Sequence, residues 1–251
     1  MDRPRLLLVP SFTELEWEPI RPRLEEWAEV ASFDLPGVGD EPRAEKIDRE
    51  IVVTRGLEEI DRRGWERCLV ASDGWGIPSV VRLALARPEA ILGLVLGHAR
   101  LSQRREGDRA PVNGAVWSAM TELIDTDHEA FIRYGIAQAT GGSVSEEHAE
   151  RMIERFPRDL LAVGWEAVTR DDDQIGDLLS ELHCPLLFAK HVGCLMSTEE
   201  GFDDAAAAFP QARTVEVEDA PLSSEKFADA MRDFCQGVIA AEPSKIRRAS
   251  P

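Results

Sequence analysis

Cys68-Leu69-Val70-Ala71-Ser72-Asp73-Gly74-Trp75-Gly76-Ile77 is the stretch that decides the fold. Its first four residues form an apolar run long enough for a buried strand, and an amphipathic helical pattern follows from Gly76 to Arg87. Between them the chain must reverse within a few residues. A reversal that tight brings the strand end against the helix start, so the positions two before and two after its apex need small residues. With Gly74 at the apex, Ser72 and Gly76 meet that need. With Asp73 at the apex, Trp75 would occupy a crowded position that has no room for an indole. Gly74 is therefore expected at the summit, and no side chain projects from it.

Outward from this turn, short apolar runs alternate with helical patterns. Strands are expected at Leu6–Val9, Val30–Phe33, Cys68–Ala71 and Ile91–Leu96, and helices at Trp17–Ala28, Asp48–Arg63 and Gly76–Arg87. From Leu101 to Glu181 the pattern is helical throughout. Breaks fall at Gly141-Gly142, at the Ser145 N-cap, at Pro157 and at Asp171-Asp172-Asp173. Alternation resumes with strands at Pro185–Lys190 and Thr214–Val217 and helices at Thr198–Phe209 and Phe227–Ile239. This rhythm specifies an α/β domain with a mostly parallel sheet buried on both faces. Residues 1–100 and 182–240 form its core, 101–181 a helical insertion, and 241–251 a flexible tail.

Forty-seven acidic residues against 29 Lys and Arg give a net charge of −18 over 251 residues. That surface repels polyanions and anionic membranes, which argues against nucleic-acid and membrane binding. Met1-Asp2-Arg3-Pro4-Arg5 leads directly into Leu6–Val9, too short a run for a signal-peptide core, so a cytoplasmic location is expected. Cys68, Cys184, Cys194 and Cys235 lack CxxC spacing, and the histidines at 98, 128, 148, 183 and 191 lack H-x-x-x-H or H-x-H pairing. No metal site and no cofactor are implied by these spacings.

Several local stretches resemble the α/β-hydrolase superfamily. Leu-Leu-Leu-Val-Pro-Ser-Phe at 6–12 is similar to the strand-to-HGF turn that supplies an oxyanion-hole amide, and Phe33–Asp40 to the D-x-P-G-x-G turn. Val81–Glu89 resembles the helix after the nucleophile elbow, and Cys184-Pro185-Leu186-Leu187 the entry to the acid-bearing strand. The resemblance spans about residues 6–238. It implies the α/β-hydrolase fold with a helical lid after the sixth strand, and a Ser-His-Asp type of acyl transfer.

The residues that chemistry requires are missing from their places. Gly74 stands at the nucleophile position, and no histidine follows His191, so the general base after the last strand is absent. The loop Ala189–Leu195 carries no carboxylate. Glycine has no atom with which to attack an acyl carbon, so a covalent intermediate at Gly74 is impossible. The ends of the parallel strands nevertheless converge on one crevice. Ser11, Phe12, Gly74, Trp75, His98 and Cys194 are expected to line it, together with Asp34, and Asp73, His98 and His191 are the acid/base candidates. His98 reads first as a structural hydrogen-bonding residue and second as a ligand or proton-transfer group that meets His191 across the pocket. His191 with Cys194 suggests a thiol–imidazole pair, but both lie on one short loop and nothing in the sequence shows that they face each other. His128, His148 and His183 read as surface or structural, and Trp117, Met120, Phe131, Tyr134 and Trp165 as lid packing before a ligand cage, the underside of the lid being also the roof of the pocket. Two functions follow. The leading one is binding of a small apolar molecule or a protein partner without covalent hydrolysis, homo-oligomerisation remaining open. The other is an ester or lactone hydrolase, or a lyase-like enzyme, with displaced acid/base residues.

Overall fold

A computed structural model describes residues 3–11, 13–45, 48–102, 104, 106–140, 145–160, 165–166 and 174–248. Phe12, Gly141-Gly142 and Asp171-Asp172-Asp173 lie outside that set. Six strands form one parallel sheet: β1 (Arg5–Val9), β2 (Glu29–Ser32), β3 (Cys68–Asp73), β4 (Ile91–Gly97), β5 (Leu186–His191) and β6 (Arg213–Val217). Their spatial order is β2-β1-β3-β4-β5-β6, and every neighbouring pair is parallel. The alternation of side chains along each strand serves both faces. Leu7, Val9, Val70, Leu94, Leu96 and Phe188 pack on one side. Leu6, Leu8, Leu69, Ala71, Val95 and Leu187 pack on the other, against Leu24, Phe227, Met231 and Phe234. Burying each such side chain contributes roughly 1.5–3 kcal/mol, so near-continuous apolar runs are what a doubly covered sheet selects.

The first four strands connect through α1 (Arg21–Glu25), α2 (Arg49–Arg62) and α3 (Ile77–Ala86). Helix α1 is much shorter than the Trp17–Ala28 segment expected from periodicity. Pro19 lacks the N–H that a continuous helix would use there, so the chain instead forms a 3₁₀ turn at Glu14–Trp17 and restarts around Pro22. Between β4 and β5 lie α4 (Gly114–Thr126), α5 (His128–Thr140), α6 (Glu146–Arg155) and α7 (Ile175–Ser180), and no strand occurs there among the described residues. After β5, α8 (Glu199–Ala208) leads to β6, and α9 (Glu225–Arg248) closes the chain. The backbone of α9 is helical to Arg248, well into the segment expected to be a loose tail. Among the described residues no helix is long and apolar enough to cross a membrane.

The reversal between β3 and α3 has the geometry its residues predict. Gly74 has φ +52°, and a 3₁₀ turn at Gly74–Gly76 starts the helix. Ser72 Oγ donates to the Val9 carbonyl at 2.9 Å, and a Cβ on Gly76 would come within 2.0 Å of that same Oγ. Only glycine fits at 76. The helical insertion is tied to the core by ion pairs, among them Arg155 Nε donating to Asp34 Oδ2 at 2.7 Å and Arg43 to Asp159 at 2.6 Å.

Candidate active site

The carboxyl ends of β3, β4 and β5 deliver the polar groups. Asp73 is the last residue of β3 and pairs in register with Gly97 of β4. A Cβ on Gly97 would lie 2.1 Å from Asp73 Oδ1, so the missing side chain makes room for the carboxylate. Asp73 Oδ1 accepts from His98 Nδ1 at 2.8 Å, which assigns that ring proton because an ionised carboxylate can only accept. His98 is 8% exposed and has φ +53°. It is the one non-glycine residue with a left-handed backbone among those described, a conformation that costs about 1–3 kcal/mol and is held where the surroundings over-determine it.

The other nitrogen of His98, Nε2, lies 3.3 Å from His191 Nδ1, with the rings inclined at 68°. Cys194, on the loop after β5, completes the cluster: its sulfur and the two imidazoles place their ligand atoms within 4.8 Å of one another. The Ser197 N–H also donates to Cys194 Sγ at 3.4 Å.

Burial and charge act against each other here. Burial disfavours a charged His98, but the Asp73 carboxylate and the Cys194 sulfur outweigh it and raise the imidazole above its ordinary value. Burial likewise raises the Cys194 thiol, while the His98 charge and hydrogen bonds from both histidines and Ser197 bring it well below the usual thiol range. The direction for the pair is transfer of the thiol proton to the imidazole. By contrast, burial alone pushes Cys68 and Cys235 up to about 12, which leaves them inert.

These groups open onto a cavity of about 110 Å³ between the sheet and the helical insertion. Its walls are mainly apolar, with Trp75, Met120, Phe131, Met152, Trp165 and Met196 prominent. Edge-on contacts of Trp75 with Trp117 (4.7 Å) and Trp165 (5.4 Å), and of Phe131 with Trp165 (4.8 Å), join the insertion to the turn. Met120, Phe131 and Trp165 thus serve as cavity wall as well as packing, whereas Trp117 and Tyr134 do not line the space.

Sequence reasoning missed Arg100. It is 2% exposed, lines the cavity, and donates to the Gly74 carbonyl at 2.9 Å and the His98 carbonyl at 3.3 Å. Its guanidinium stacks 4.9 Å from the Trp75 ring, and its Nε has no hydrogen-bond partner. Burial pushes it down to about 10, still charged at neutral pH. Among the described residues no carboxylate lies within ion-pair distance of it. The only local signal was a basic residue just past a strand end, which many surface arginines share.

The expected site residues separate into groups. Ser11, Asp73, Gly74, Trp75, His98 and Cys194 all line the cavity. A Cβ on Gly74 would meet nothing within 4 Å, so the apex faces open space. His191 lines a small adjoining pocket that shares His98 and Arg100. The Ser11 N–H, in the turn expected to offer an oxyanion amide, already donates to Glu16 Oε1 at 2.6 Å, and Ser11 Oγ donates to the Asp73 carbonyl at 3.0 Å. Asp34 does not reach the cavity. It accepts from Thr13 Oγ1 (2.7 Å), the Glu14 N–H (2.8 Å) and Arg155, and so locks the insertion to the core. His148 is not a surface residue: it is 6% exposed and lines the cavity, with Nδ1 held 3.0 Å from Glu18 and Nε2 unpartnered. Spacing in the chain indicated no metal-ligating set, but the fold brings His98, His191 and Cys194 together as one.

No protein-family model matches the chain, and no curated protein matches it. Its fold recurs in solved structures of low sequence identity. A hydrolase from Oleispira antarctica superposes with a TM-score of 0.77 at 13% identity, covering 94% of this chain and 92% of that one. A loop variant of the haloalkane dehalogenase DbeA from Bradyrhizobium elkanii gives 0.75 at 17%, covering 96% and 92%. The enol-lactonase from Burkholderia xenovorans LB400 gives 0.68 at 18%, again covering 96% and 92%.

Proposed function

We propose that this protein, which has the α/β-hydrolase fold, is a cysteine-dependent hydrolase of small, largely apolar acyl compounds such as esters, thioesters or lactones. One observation carries the reading. The Asp73 carboxylate, the His98 imidazole and the Cys194 sulfur stand in sequence at the floor of an apolar cavity, where the fold keeps its chemistry. A nucleophile, a base and a group that orients the base are recognised by geometry rather than by chain position.

The roles follow from that order. Asp73 fixes the His98 tautomer, so Nε2 is the nitrogen that exchanges protons. The Cys194 thiolate attacks the acyl carbon, forming a C–S bond as the C–O or C–S bond to the leaving group breaks. His98 gives its proton to that leaving group. Water then attacks the thioester and passes a proton to His98; the acid departs and the thiolate is restored. Arg100 and the amino end of α3 supply positive potential for the developing oxyanion or for a carboxylate on the substrate. A cavity of about 110 Å³ restricts the acyl portion to a small group.

A second reading rests on the open space above Gly74. There the cavity holds a small apolar ligand without covalent chemistry, and a protein partner or second copy of the chain joins outside it. One experiment separates the two. Chelator-treated protein is assayed with short-chain aryl esters and thioesters beside Cys194→Ala. Turnover that falls about 10²–10⁴-fold or more in the variant supports the hydrolase. Equal rates in both proteins, with a cavity ligand raising the melting temperature, support the binder.

A further inference from the structure

The same floor carries a second arrangement, independent of whether hydrolysis occurs. His98 Nε2 and His191 Nδ1 face each other at 3.3 Å. A tetrahedral ion with nitrogen ligands at roughly 2.0–2.1 Å keeps those nitrogens about 3.3–3.4 Å apart. Cys194 Sγ lies within 4.8 Å of both, and a modest approach brings the sulfur to coordinating distance. His191 ends β5 and Cys194 follows after two intervening residues, a spacing that chelates as C-x₂-C does, while His98 closes the set from the neighbouring strand end.

The surroundings fit a cation as well. Asp73 holds His98 through Nδ1, which leaves Nε2 as the ligand and supplies the carboxylate–histidine support typical of metal-bound imidazoles. Asp73 places a carboxylate beside the imidazole, on the same floor as the Arg100 guanidinium. Lys190 of β5 is already engaged by Glu199 and Asp203. His98 and Cys194 both line the cavity, so a fourth coordination position would be reachable from it.

We propose that His98, His191 and Cys194 form a binding site for Zn²⁺ or a similar borderline divalent cation, with Asp73 as its outer support. Thiolate and imidazole together select such an ion over Mg²⁺ or Ca²⁺, which require oxygen ligands. Occupancy ties up the sulfur and the imidazole at once, so the ion and an acyl substrate compete for the same groups.

The probe is Co²⁺, titrated into full-length, chelator-stripped protein and followed by absorption. The expected result is one ion per chain, with tetrahedral d–d bands and a near-ultraviolet thiolate-to-cobalt charge-transfer band, all displaced by Zn²⁺. Cys194→Ala should abolish the charge-transfer band, whereas Cys184→Ala should keep it. His191→Ala should weaken binding severely, and Asp73→Asn by about 10–100-fold. Should Cys194→Ala fail to fold, Cys194→Ser serves in its place. A missing charge-transfer band, or one that survives loss of Cys194, overturns the site. The readout is spectroscopic, so an inactive protein that binds Co²⁺ in this way refutes the hydrolase and leaves the metal site standing.

Discussion

Asp73 Oδ1 and His98 Nδ1 lie 2.8 Å apart, joining the residue before the apex of the β3–α3 turn to the first residue beyond β4. The imidazole at the ends of the strands is therefore held by the neighbour of Gly74 and not by the apex. In the proposed hydrolase the nucleophile that this dyad serves is Cys194, two strands away from the turn in the sheet.

Cys194→Ala removes the sulfur that the fold sets beside His98. Acyl hydrolysis should fall by about 10³-fold or more, as when an activated nucleophile is deleted. Substoichiometric iodoacetamide should label Cys194 ahead of Cys68 and Cys235, whose thiols burial holds protonated. Peptide mapping of the labelled protein checks this, and preferential labelling of Cys184 would count against the assignment.

Asp73→Asn keeps the shape and removes the charge. Asn can present its amide nitrogen to His98 and so favour the other tautomer, which points the wrong nitrogen at Cys194. We expect kcat to drop by about 10²–10⁴-fold with little change in KM. Steady-state kinetics on a single thioester decides it.

Gly97→Ala is a steric test of the same contact. The new methyl would lie 2.1 Å from Asp73 Oδ1, so the carboxylate must move away from His98. Overpacking of this kind costs about 1–3 kcal/mol, readable as a lower urea midpoint. Activity should fall further than the stability loss explains.

Gly74→Ser tests the original elbow position. Its Cβ would enter open space, so the cost is the φ of +52°, about 1–2 kcal/mol. Among the described residues, the nearby imidazole of His98 has one nitrogen on Asp73 and the other on His191. In a Cys194→Ala background the serine should restore no hydrolysis of aryl esters. Restored activity would mean that His98 can turn to serve the apex.

Micromolar Zn²⁺ should inhibit hydrolysis by the wild-type protein reversibly, with a chelator returning full rate. His191→Ala should blunt that inhibition more than it alters the metal-free rate. Progress curves with and without chelator provide the check.

The strands were legible because each is a local apolar run: all but β3 fall within a residue of where periodicity puts them, and β3 runs on through Ser72 to Asp73. Helix α1 was not, since Pro19 and Pro22 override an otherwise helical pattern. Asp34 was misplaced into the crevice: it does follow a strand, but Arg155 from the insertion draws it into an ion pair. Arg100 was not singled out, and His148 was not expected in the cavity wall, because their placement depends on an insertion whose docking no local pattern encodes.

What the chain by itself determined was the parallel α/β architecture and the bare apex at Gly74. Both follow from short-range rules: side-chain alternation, and the steric freedom of glycine at positive φ. What only the tertiary structure decided was that Asp73, His98, His191 and Cys194 meet. Residues separated by 25 and 93 positions come together only because β3, β4 and β5 lie side by side, with Asp73, Gly97 and Ala189 in register near their ends. Strand order is a property of the whole packed sheet, set by the burial of both its faces, and no local stretch carries it.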